Sequence, residues 1–140
     1  VVMLAAMIPV GQALETSGIS SNIANFISTT TDGMAMPWLI LMILVITMFV
    51  SDIVNNAATA VIMAPIAANL ALQLGQPVEP FLMAVAVGAS CAFLSPIGHQ
   101  CNTLVMAPGN YKFGDYWRLG LPLECVIVAI SIPMILFVWT

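Results

Sequence analysis

Two short clusters of small polar residues interrupt long apolar stretches of this chain. The first reads Ser51-Asp52-Ile53-Val54-Asn55-Asn56-Ala57-Ala58-Thr59 and the second Ser95-Pro96-Ile97-Gly98-His99-Gln100-Cys101-Asn102-Thr103. A helix that stops leaves carbonyl groups free at one end and N–H groups free at the next start. The carbonyl side can hold a sodium ion. The N–H side, at the positive end of a helix dipole, suits a carboxylate or a sulfate. Irregular polar backbone at membrane depth is tolerated only where protein covers it or where it lines a wet cavity. The two clusters therefore point to a solute pathway.

Within the clusters, Asn55 and Asn56 offer amide donors and carbonyl acceptors, and Asn56 shares a helical face with Thr59 three residues on. Gly98 permits close backbone approach, and Asn102 is placed to cap a helix beginning after it. Asp52 is an intramembrane acid, a functional candidate by type, with capping of the first break as its plainer role. His99 is the sole histidine and reads equally as a solute or gating contact and as a structural residue. Cys91 and Cys125 read as small core residues, while Cys101 lies in the second break. Three cysteines without a CxxC spacing argue against both a disulfide framework and a zinc site.

The setting of these residues is lipid. The chain is 61% hydrophobic and 6% charged, where a soluble domain carries about a quarter charged residues. Lys112 and Arg118 are its only cations, too few to bind nucleic acid through phosphates. At about 20 apolar residues per crossing, the length allows roughly four to six passes or half-passes. The chain starts within an apolar stretch with neither an initiator Met nor a signal-peptide n-region, so a fragment of a larger carrier is expected.

The elements follow from pattern and punctuation. A helix is expected over 1–17, stopped near Gly18, and an amphipathic interfacial helix over 19–30, with Ile19, Ile23, Phe26 and Ile27 on its apolar side. Pro37 and Trp38 open an apolar run to Val50 of about 14 residues, roughly 21 Å and short of a full span. With the run from Ala57 to Leu74 it reads either as two spans or as a re-entrant hairpin over 37–74, and the short first arm favours the hairpin. A broken helix is expected over 81–107, entering the second cluster after residue 94 and resuming as a stub at Thr103. Residues 111–118 read as an aromatic and basic interfacial anchor, and 119–139 as a final full span. Glu124 is expected near a membrane end.

Two stripes of small residues can seat these helices on one another: Ala57, Ala60, Ala64, Ala67 and Ala71 in one, and Ala84, Gly88, Cys91 and Ser95 in the next. Their packing would bring the two breaks side by side. Both cations precede the last span, which by the positive-inside tendency places that loop in the cytoplasm and makes the hairpin enter from outside.

At these residues the chain resembles the divalent anion/sodium symporter family, the sodium-coupled dicarboxylate and sulfate carriers of the wider ion-transporter superfamily. The similarity spans essentially the whole chain and matches the family's C-terminal inverted repeat. Residues 37–74 are similar to its outward-entering hairpin, whose tip carries Ser-Asn-Thr; here the tip is Asn55-Asn56-Ala57, which keeps the central Asn and neither hydroxyl. Residues 93–105 are similar to the family's unwound penultimate helix, with His99-Gln100-Cys101-Asn102 where proline-rich carboxylate carriers have Thr-Pro-Pro-Asn. Residues 108–123 are most similar to the prokaryotic and algal branch of anion or sulfate permeases.

The resemblance implies an all-α membrane fold with one re-entrant helical hairpin and one discontinuous helix, half of an inverted-repeat carrier. Ser51, Val54, Asn56 and Gly98 fall where the second sodium site is built. Asn55, Asn56, Ala57, His99 and Gln100 fall where the anion is held, with Asp52, Cys101 and Asn102 beside them as gating or proton candidates. The expected protein is a secondary transporter of a small divalent anion, sulfate or dicarboxylate, with sodium as coupling ion and no further cofactor. Its expected partners are the anion, the bilayer of a bacterial inner membrane, the missing N-terminal half and a second copy in a homodimer. A cation/proton or arsenite antiporter with Asp52 as proton carrier is the alternative within the superfamily. From other classes come a non-transport scaffold and a membrane enzyme on His99, Cys101 and Asp52; the enzyme lacks a second His or a paired carboxylate.

Overall fold

The computed structural model describes residues 9, 12, 13, 16–30 and 35–139, and every regular element among them is a helix. Most of the helix expected over 1–17 lies outside the described residues. The elements are α1 (Ile19–Thr30), α2 (Met36–Ile53), α3 (Asn56–Gln73), α4 (Glu79–Ser90), α5 (Gln100–Met106) and α6 (Phe113–Trp139). The chain is thus an all-α protein, with α2, α3 and α6 each long and apolar enough to cross a membrane.

Pro37 sits in the first turn of α2, where its missing N–H costs nothing. The helix buries Leu39, Ile40, Ile43, Leu44, Thr47, Met48, Ser51 and Asp52, a pair in every turn and hence a single face. It does not stop at Val50: the Val54 N–H still bonds to the Val50 carbonyl at 2.9 Å, so α2 is 18 residues long. The first arm is therefore longer than the roughly 14 residues expected, and by length and composition α2 is able to cross a bilayer.

α3 ends at Gln73 through Gly75, whose φ of +64° lets the Gln76 N–H reach back to the Ala71 carbonyl at 2.9 Å. The chain then reverses into α4, which has Pro80 in its first turn. α4 packs on both preceding helices. Its end lies beside the end of α2, since the Ser51 hydroxyl meets the Ala89 carbonyl, while its start follows the end of α3. α2 and α3 are consequently antiparallel, with α4 laid along both. Gly88 makes the closest approach: a Cβ there would stand 2.9 Å from the Leu44 carbonyl oxygen and from the Thr47 Cβ.

α1 adds a helix contact, and the final helix differs from expectation in its start. α1 packs on α3, but through Ser20 and Ala24, which are buried, with Asn69 donating to the Ser20 hydroxyl at 3.3 Å. Its larger apolar residues Ile19, Ile23 and Phe26 face outward. The final helix begins at Phe113, not 119, because Asp115 reaches back to accept from the Lys112 N–H at 2.8 Å and closes its first turn. Most of the supposed anchor is thus the start of α6.

Candidate functional site

The first break is only two residues long. Val54 and Asn55 are both extended, which ends α2 and sets the start of α3. Asn55 caps α3, accepting from the Ala58 N–H at 2.8 Å. The capping role considered for Asp52 thus belongs to Asn55, and Ser51 and Asp52 lie in the last turn of α2 instead of in the break.

The second break runs from Cys91 to His99, earlier than expected, because α4 stops at Ser90 and α5 starts at Gln100. His99 caps α5, its Nδ1 accepting from the Cys101 N–H at 3.2 Å. Asn102, expected to cap this helix, turns back and donates to the carbonyls of Ala92 at 2.9 Å and Ser95 at 3.2 Å. The Thr103 hydroxyl donates to the Pro96 carbonyl, and Tyr116 of α6 donates to the Asn102 carbonyl at 2.7 Å. These bonds take up backbone carbonyls that a broken helix would leave unpaired.

The two breaks meet. The Ser51 hydroxyl donates to the Ala89 carbonyl at 2.8 Å, the Leu94 N–H donates to Asp52 Oδ1 at 3.1 Å, and the Ser95 hydroxyl donates to the Asp52 carbonyl at 2.6 Å. The same Ser95 oxygen accepts from the Gly98 N–H at 3.1 Å, which folds the segment over α2. Gly98 lies so close that a Cβ would stand 2.7 Å from the Ala92 Cβ and 2.9 Å from the Ser51 carbonyl oxygen. Between them sits the Asn56 amide. Its inward neighbours include two carbonyl oxygens, so the nitrogen faces them, 3.2 Å from the Gly98 and Ala89 oxygens and 3.0 Å from Ser51 Oγ.

On the other side of this contact, Asn55, Asn56, Ala57, Gly98, His99 and Gln100 line one cavity of about 210 Å³. No lysine, arginine, aspartate or glutamate is among them. The Asn56 and Ala57 N–H groups, in the first turn of α3, have no intrahelical acceptor. The site can therefore receive negative charge through neutral donors and a helix start.

Of the other candidate residues, Val54 is an exposed joint, and Cys101 is exposed on α5 and absent from the cavity wall. Asn102 braces the second break from within. Among the described residues, no group of three His, Cys, Asp or Glu side chains stands close enough to hold a metal ion. Sequence reasoning missed Ala89, whose carbonyl carries no side-chain signal. It also gave no role to Leu94 or to Ser95, although Ser95 stood in both the small-residue stripe and the second cluster. Glu124, expected near a membrane end, lines a cavity of about 370 Å³ with Leu94, Met48 and Trp117, and its buried Oε1 has no hydrogen-bond partner.

Comparison with known proteins adds an independent line. A family profile described as citrate transporter matches residues 1–140. An uncharacterized transporter of Synechocystis sp. is 38% identical over 133 residues, covering 95% of this chain and 22% of that protein. One of Escherichia coli is 33% identical over 135 residues, covering 96% and 22%. A sodium/sulfate cotransporter of Chlamydomonas reinhardtii is 31% identical over 133 residues, covering 91% and 15%. The chain spans about a fifth or less of the length of these curated relatives.

Proposed function

This chain belongs to the citrate transporter family, and on that premise we propose that it forms the C-terminal part of a sodium-coupled carrier of a small divalent anion, sulfate or a dicarboxylate. The observation that carries the proposal is the meeting of the two helix breaks around Asn56, with a cavity of neutral donors beside them. In this reading α2 and α3 are the arms of a re-entrant hairpin, and the anion lies against Asn55, Asn56, Ala57, His99 and Gln100. The start of α3 supplies the favourable field for its charge. Both anions are proposed because relatives named as a sodium/sulfate cotransporter and as a sodium-dependent dicarboxylate transporter each align across 91% of the chain.

The coupling ion has a donor set of the right chemistry. Ser51 Oγ and the Ala89 and Gly98 carbonyl oxygens gather around the Asn56 amide, 3.0 and 3.2 Å from its nitrogen, and are hard oxygen ligands of the kind that unwound transporter helices offer to sodium. Val54, assigned to this group by resemblance, makes no bond into it. The carrier would work in a bacterial inner membrane with an N-terminal half, as a homodimer, by moving this unit against the rest of the protein so that the site faces each side in turn.

Uptake of radiolabelled sulfate or dicarboxylate by cells expressing the full-length protein tests the reading. Asn56→Ala should abolish sodium-dependent uptake at normal expression. Unchanged uptake in that variant overturns it. One observation favours a second reading, a proton-coupled antiporter: Asp52 Oδ2 is buried and without a hydrogen-bond partner. An exchange driven by a pH gradient and lost in Asp52→Asn would select that reading.

A further inference from the structure

Little of α6 is buried, yet three of its residues on one face, Tyr116, Gly120 and Glu124, meet the second break. Tyr116 donates to the Asn102 carbonyl at 2.7 Å. Gly120 leaves no room for a side chain: a Cβ there would overlap the Phe93 carbonyl oxygen and stand 3.1 Å from the Leu94 nitrogen. The Glu124 carboxyl faces the Phe93 N–H, and Glu124 lines one cavity with Leu94 and with Met48 of α2. An acid among apolar residues of a membrane-crossing helix is costly and calls for a use. Carboxyls from two different helices thus address consecutive N–H groups of the unwound segment: Glu124 that of Phe93, and Asp52 that of Leu94 at 3.1 Å.

We propose that Tyr116 and Glu124 are positioning residues: from α6 they hold the unwound segment where its two ends, the Ala89 and Gly98 carbonyls, stand around Asn56 to receive the coupling ion. The inference rests on the sodium-coupled carrier reading and adds to it two residues that touch neither the ion nor the anion. The first link starts at Tyr116, which fixes the Asn102 backbone. The Asn102 side chain ties down the Ala92 and Ser95 carbonyls, and the Ser95 hydroxyl in turn accepts from the Gly98 N–H at 3.1 Å. The second link is direct, because Phe93 lies between Ala89 and Gly98 in the chain. A cation site made of backbone carbonyls binds only in the fraction of molecules that hold those carbonyls in place. Loosening the segment from α6 therefore weakens ion binding without removing a ligand.

The test is uptake of labelled sulfate or dicarboxylate by the full-length protein with sodium varied, read separately as half-saturating sodium and maximal rate. Tyr116→Phe deletes one oxygen and Glu124→Leu deletes the acceptor. Each should raise half-saturating sodium about three- to tenfold, the worth of one hydrogen bond. Glu124→Gln keeps an oxygen for the Phe93 N–H and should stay within about twofold of the wild type. Asn69→Leu, which cuts the Asn69–Ser20 bond between α3 and α1, is the control for plain loss of stability. Its maximal rate should fall with the amount of folded protein while half-saturating sodium holds. Wild-type half-saturating sodium in both Tyr116→Phe and Glu124→Leu overturns the inference and leaves the carrier reading standing, as does a shift in Asn69→Leu as large as theirs. A shift in Glu124→Gln equal to that in Glu124→Leu overturns the acceptor role of Glu124. Should Glu124→Leu fail to reach the membrane, Tyr116→Phe, a one-atom deletion, decides. Absence of sodium-dependent uptake by the wild-type protein overturns the sodium-coupled reading and this inference with it.

Discussion

The Ser95 hydroxyl donates to the Asp52 carbonyl oxygen at 2.6 Å, joining residues 43 positions apart. With the Leu94–Asp52 bond it holds the unwound segment against the end of α2. Ser95 also accepts from the Ile97 N–H at 3.3 Å and the Gly98 N–H at 3.1 Å, so one hydroxyl organises the whole turn. Ser95→Ala should destabilise the protein by about 1–3 kcal/mol, because buried polar groups lose their partner. Thermal unfolding of the detergent-purified protein checks this, and sodium-dependent uptake should fall in parallel.

Gly98 and Gly114 form a matched pair for substitution. Alanine at 98 would press on the Ala92 side chain and on the α2 backbone, whereas a Cβ at 114 meets nothing within 4 Å. Gly98→Ala should abolish uptake while protein is still made. Gly114→Ala lies in the first turns of α6 and should be neutral or raise stability by up to about 1 kcal/mol. Uptake normalised to surface expression separates the two.

Asn55 allows capping and anion contact to be separated. Asn55→Asp keeps an oxygen for the Ala58 N–H but replaces the amide donor with negative charge at the cavity, so its melting temperature should hold while uptake is lost. Asn55→Ala should cost about 1 kcal/mol of stability as well.

Asp52 divides the two coupling readings. Asp52→Asn preserves an oxygen for the Leu94 N–H but cannot exchange a proton near neutral pH. Sodium-driven uptake should survive in this variant to a large extent, whereas Asp52→Leu, which loses the Leu94 contact, should fall at least about tenfold below it. Flux measured with separate sodium and pH gradients distinguishes the outcomes.

The two breaks were legible because lipid forbids unsatisfied polar backbone, so clusters such as Asn55-Asn56 and Gly98-His99-Gln100 stand out from their surroundings. Their boundaries were not. Ser51 and Asp52 look like the start of the first break, yet a polar side chain does not end a helix whose backbone bonds continue, and α2 runs to Ile53. Asn102 looked like the cap of α5 because asparagine is a frequent one, but histidine at position 99 also offers an acceptor and stands at the right place. The contact of α1 with α3 was not legible either, because it runs through the small residues Ser20 and Ala24, while Ile19, Ile23 and Phe26 face outward. The links from Ser51 to Ala89 and from Asp52 to Leu94 and Ser95 depend on tertiary placement, which no local pattern encodes.

The position of those partners also bears on how the protein is made. Ser51 and Asp52 leave the ribosome about 40 residues before the backbone groups that satisfy them. Until residues 89–95 emerge, the Ser51 hydroxyl has the Asn56 amide beside it but not the Ala89 carbonyl, and the Asp52 carboxyl lacks the Leu94 N–H, in a medium that supplies no substitute. The first two arms must then wait at the insertion machinery or in contact with water, and they settle into the bilayer together with the segment that completes them.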